Sequence, residues 1–63
     1  MNPLKIMVEL SKLVTIINEA DMAPEVRKDL KKIIIRLNEA IIDGVQKEYD
    51  DARKDYENLK ERN

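Results

Sequence analysis

The sequence predicts an all-α fold. The expected architecture is a helical hairpin, with a short first helix over about 3–20 and a long second helix over about 24–60, associating as an antiparallel helical-bundle dimer. Three observations carry this expectation. Apolar residues recur at spacings of three, four and seven, which is the helical period and not strand alternation. The two prolines, Pro3 and Pro24, both sit where a first helical turn would begin. The two helices so delimited also differ about twofold in length, so the first cannot cover the second.

The first helix starts at Asn2-Pro3. Asparagine can accept hydrogen bonds from the free amides of the first turn, and proline lacks an N–H that would have no partner there. From Leu4 to Ala20 no glycine or further proline intervenes. The apolar residues of this segment, including Leu4, Val8, Leu10, Leu13 and Ile16, wrap most of its circumference and leave a polar strip around Lys5, Glu9, Lys12 and Glu19. A helix so widely apolar needs cover from more than one side.

Asp21-Met22-Ala23-Pro24 breaks the helix, because proline disfavours helical geometry at the preceding residue. Asp21 or a backbone group would cap the next helix, and so short a link makes the two helices antiparallel neighbours. The second helix carries Val26, Leu30, Ile33, Ile34, Leu37 and Ile41 in its first half. In its second half follows a narrower seam of Val45, Tyr49, Ala52, Tyr56 and Leu59. A first helix of about 18 residues spans ~27 Å and a second of about 37 spans ~55 Å. The seam from Val45 to Leu59 would then be bare until a second chain covered it.

Gly44 opens an alternative: a monomeric three-helix bundle with a turn at Asp43-Gly44 and helices over roughly 3–20, 24–42 and 45–61. Glycine takes the left-handed conformation that often ends helices, and Asp43 with Gln46 resembles a capping box. Favouring continuity, the apolar stripe passes from Ile41 to Val45 to Tyr49 in phase. A helical glycine costs only ~1 kcal/mol relative to alanine, and two residues are few for reversing a helix.

The composition narrows function mainly by exclusion. All 63 residues form one domain, 1–63, near the lower size limit for folding on a single core, where association or cross-links usually help. Without cysteine or histidine, disulfides, thiolate or imidazole metal sites, and Ser-His or Cys-His nucleophiles are ruled out. A single glycine removes every glycine-rich phosphate loop. Charged residues make up 40% of the chain at a net charge of −1, which suits solvated helix faces and not a nucleic-acid binder. The basic group Arg27, Lys28, Lys31, Lys32 and Arg36 has no interleaved aromatic for base stacking, and it reads as a solvated face. The longest apolar run is Ile33-Ile34-Ile35, too short to span a membrane, and the start does not read as a signal peptide. The expectation is a soluble protein, cytoplasmic by default, with no enzyme activity, no cofactor and no metal.

What remains is a helical oligomerisation or interaction module whose main partner is a second copy of itself. The expected interface comprises Leu4, Val8, Ile16, Asn38, Ile42, Val45, Tyr49, Ala52, Tyr56 and Leu59. Asn38, inside the apolar stripe, reads either as a buried register residue or as a rim residue touching water. An alternative function is a small regulatory protein that binds a larger protein target through the surplus apolar face of the first helix (Leu4, Val8, Ile16). The tidy helix starts and mixed charges also fit a designed chain.

Overall fold

Helix α1 begins where Asn2 adopts an extended backbone and its Oδ1 accepts the Lys5 N–H at 3.2 Å, with Pro3 in the first turn. The computed structural model describes residues 2–62 and contains three helices: α1 (Pro3–Glu19), α2 (Pro24–Asp43) and α3 (Gln46–Arg62). No strand occurs among the described residues. Helix α1 ends without glycine, at an extended Ala20, and Pro24 opens α2, where a proline in the first helical turn was expected. Asp21 does not cap α2. Ala23 takes that position with no side-chain bond, and its carbonyl accepts the first helical bond, from Arg27 N–H at 3.0 Å.

The expected long second helix over about 24–60 is interrupted at Gly44. Gly44 adopts φ 71° and ψ 27°, the left-handed region. Its N–H donates to the Ile41 carbonyl at 3.3 Å, and the Val45 N–H donates to the Ala40 carbonyl at 3.1 Å. These two bonds form a Schellman closure, which satisfies carbonyls that a helix end would otherwise leave free. Helix α3 starts at once, its Tyr49 N–H donating to the Val45 carbonyl at 3.1 Å. Two residues, Gly44 and Val45, therefore suffice to connect the helices, and the three-helix alternative describes the chain to within a residue or two. The proposed capping box does not form; the Gln46 side-chain amide donates to Asp50 at 3.0 Å instead.

The physical reason lies in packing. In a straight single chain the α3 seam would stand in water, whereas folded back it buries Tyr49 and Ala52 to 8% and 1% exposure. Burying such side chains contributes on the order of 1.5–3 kcal/mol for each large one, more than a helical continuation through glycine offers. The length mismatch that called for a second chain disappears with the break, since the helices have 17, 20 and 17 residues.

Helix α2 is central and supplies most of the core: Leu30, Ile34, Leu37, Ala40 and Ile41, joined by Leu10 and Ile17 from α1 and by Tyr49 and Ala52 from α3. Among the described residues no buried residue is polar or charged, and no buried side-chain polar atom lacks a partner. Arg27 reaches α1 and Arg36 reaches α3, through an ion pair with Asp55 at 2.9 Å, so the outer helices occupy different flanks of α2. Helix α3 packs on α2 more extensively than α1 does, and no Cα of α1 comes within 8 Å of one in α3. The arrangement is open. Its radius of gyration is 11.5 Å, against about 10.6 Å expected for a compact domain of this length.

Candidate interaction surface

Because α1 and α3 both pack on α2 and their backbones stay apart, a groove runs between them. Leu37 of α2 lies at its floor, and its walls carry Ile6, Leu10 and Leu13 from α1 and Tyr49 and Tyr56 from α3. Its volume is about 550 Å³. Charged residues rim it: Glu9 on the α1 side, and Arg53, Glu57, Lys60 and Glu61 on the α3 side. Arg53 is tied down by its own helix, donating to the Tyr49 hydroxyl at 3.4 Å and pairing with Glu57 at 3.6 Å. Burial pushes the ionisation of the Tyr56 phenol above its ordinary value, so the hydroxyl stays neutral through the physiological range.

A second surface lies outside the core stripe. Leu4, Val8, Ile16, Ile35, Ile42 and Val45 are exposed, with Leu4 at 75% and Ile42 at 66%. On α2, Ile35, Asn38 and Ile42 follow one another at spacings of three and four on the flank that carries Arg27, one step beyond the buried stripe. Since α1 runs antiparallel to α2, Leu4 and Val8 near its start share one end of the molecule with Ile42 and Val45. Ile16 stands apart, toward the other end of α1.

The ten residues expected at an interface are thus divided. Tyr49 and Ala52 are buried inside the chain, and Tyr56 and Leu59 pack half-buried against the same core. Leu4, Val8, Ile16, Ile42 and Val45 remain in solvent, and Asn38 is half-buried at the rim of the stripe. No family model, curated protein or solved structure matches this chain.

The basic group does not form one patch. Arg27 donates to the carbonyls of Ile17 and Ala20 at the end of α1, and Arg36 is paired with Asp55. Lys28, Lys31 and Lys32, at spacings of three and four, share one face of α2, so only these three of the five cations stay together. The bond from Arg27 had no signal in the sequence, because nothing local marks a guanidinium that reaches back to the preceding helix. A cleft near the turn gathers Glu39, Asp43, Glu48 and Asp51 around Arg36. Among the described residues, however, no group of carboxylates is placed to hold a metal ion. No described helix is long and apolar enough to cross a membrane.

Proposed function

We propose that this chain is a non-enzymatic helical interaction module whose partner is a second copy of itself. The observation that carries the reading is the surface the open arrangement leaves uncovered. The accessible area is 4763 Å², against about 4200 Å² for a compact monomer of 7.4 kDa. The excess is accompanied by a groove of apolar floor and by five large aliphatic side chains at 50% exposure or more. A stable dimer takes roughly 800 Å² from each partner, about a sixth of the accessible area of this chain. Opposite charges along the groove rim suit a neighbour of equally mixed charge, and the chain itself is such a neighbour.

The second reading, a regulatory protein docking on a larger target, rests on the exposure of Leu4, Val8 and Ile16 along α1. Solution mass as a function of concentration tests the first. Self-association predicts a dimer mass rising through the micromolar range, whereas a chain that stays monomeric to millimolar concentration removes the homodimer and leaves the target-binding reading.

A further inference from the structure

Most of the exposed aliphatic side chains share one face. On α1, Leu4, Val8, Ser11 and Thr15 follow at spacings of four, three and four, on the side turned away from the groove-lining Ile6 and Leu13. On α2, Lys31, Ile35, Asn38 and Ile42 follow at the same spacings, on the flank toward α1 and away from α3. The two seams run side by side on the α1–α2 hairpin, opposite the groove. Arg27 lies against the Ile17–Ala20 turn. Counting antiparallel from there sets Leu4 beside Ile42, Val8 beside Asn38, Ser11 beside Ile35 and Thr15 beside Lys31. Of the six large aliphatic side chains exposed among the described residues, Leu4, Val8, Ile35 and Ile42 belong to this face.

Its polar members tolerate cover. The Ser11 hydroxyl donates to the Met7 carbonyl at 3.2 Å and the Thr15 hydroxyl to the Ser11 carbonyl at 3.4 Å, so both donors are satisfied within α1. Lys31 is half-buried, and its stem can lie along the face while the ammonium stays at the edge. The face is also self-complementary. Reversing both seams about Asn38 and Val8 exchanges Ile35 with Ile42 and Leu4 with Ser11. A copy turned over by a twofold axis lying in this face, across the helices, therefore sets Ile35 against the partner's Ile42. The same axis sets the bulky Leu4 against the partner's small Ser11, and Asn38 against the partner's Asn38. A carboxamide has both donors and an acceptor, so two asparagines on the axis satisfy one another, and a single buried asparagine of this kind fixes register in coiled coils. Lys31 then reaches the end of the partner's α2, where the helix dipole is negative.

We infer that the second copy docks on this face, with α1 and α2 of each chain forming an antiparallel four-helix bundle and Asn38 paired at its centre. This deepens the self-association reading, rests on it and assigns it a surface. Both chains keep the turn at Gly44, and α3 stays on the outside. The groove opens on the opposite side and takes no part. The face is two helices wide and ~25 Å long, the side a hairpin presents inside such a bundle.

Sedimentation equilibrium of the full chain and its variants tests this. Ile42→Lys changes an exposed position, so the dilute monomer should keep its circular dichroism. It puts an unpaired charge into the interface twice, and should raise the dimer dissociation constant about a hundredfold or more. Adding Ile35→Glu to Ile42→Lys places opposite charges across the axis and should recover about tenfold, a gain that fades with salt. The two positions are seven residues apart on one helix, so the recovery cannot arise within a chain. Ile16→Glu, on the α1 edge that carries Glu9 and Leu13 toward the groove, should stay within about threefold of the parent. Dimers that survive Ile42→Lys, or that Ile16→Glu dissociates, would overturn this face while leaving self-association standing. A double variant no tighter than Ile42→Lys would overturn the antiparallel register, and with it the Asn38 pair. A parent chain that is monomeric at every concentration would overturn both readings.

Discussion

The Arg27 guanidinium donates to the Ala20 carbonyl at 2.8 Å and to the Ile17 carbonyl at 3.2 Å, so the first turn of α2 closes the last turn of α1. The two carbonyls belong to a helix end that has no glycine and no basic residue of its own to satisfy it. A cation there also complements the negative end of the helix dipole. Arg27→Met, which keeps most of the aliphatic stem, should therefore lower stability by ~1–3 kcal/mol, measured by urea unfolding. Lys28→Met, one residue on and exposed, should change it by less than about 0.5 kcal/mol.

Gly44 should respond to chirality. A Cβ built there meets nothing within 4 Å, so any penalty for an L side chain comes from the backbone at φ +71° and not from a clash. Gly44→Ala should destabilise by ~1–2 kcal/mol. D-alanine at the same position, introduced by chemical synthesis, should be neutral or stabilising, since it prefers this conformation and restricts the unfolded chain. Equal stabilities for the two enantiomers would exclude a left-handed turn.

Ala40 and Ala52 are the two small residues of the core, at 2% and 1% exposure, one on each helix of the α2–α3 hairpin. Their size permits the close approach of these helices. Ala52→Leu should overfill that contact and cost ~1–3 kcal/mol, read as a lower thermal midpoint. Ala23→Leu, at an exposed position ahead of α2, should leave the midpoint nearly unchanged.

Alkaline pH should loosen the groove wall. Burial raises the folded-state ionisation of Tyr56 above the ordinary value of 10.0. The group therefore binds its proton more tightly folded than unfolded, and its contribution is fully present below pH 10. That contribution is lost as pH rises through the ordinary value toward the folded one. Tyr56→Phe should flatten the fall in stability above pH 10, measured by unfolding across pH 8–11.5. An unchanged alkaline limb would show that Tyr56 is not its source.

The boundaries of α1 and the start of α2 were legible because they are written in local chemistry: Asn2-Pro3 at one end, and Pro24 beside an apolar period on each side. The apolar face of α3 was equally legible, and Tyr49, Ala52, Tyr56 and Leu59 do form it. Its partner was not. Periodicity records which residues share a face, and a two-residue turn leaves the count from Ile41 to Tyr49 at two helical repeats whether the chain is straight or folded back. The choice at Gly44 depends on what α3 gains against α2, a tertiary quantity that competes with a local difference of only about 1 kcal/mol. Arg27 was misread for a similar reason: its neighbours in sequence are cations, but its partners lie seven and ten residues back.

The separation of α1 from α3 has a kinetic consequence. A chain whose outer helices each pack on the middle one, with no close backbone approach to one another, behaves like a short nearest-neighbour array. Either outer helix can open while the remaining pair stays folded, so protection should be graded and not uniform. Amides of α2 between Leu30 and Ile41 should exchange slowest with deuterated solvent. Those of α1 and α3 should be released in two distinct steps at lower free energy. Each pairing joins segments adjacent in sequence, which keeps loop closure short and folding fast.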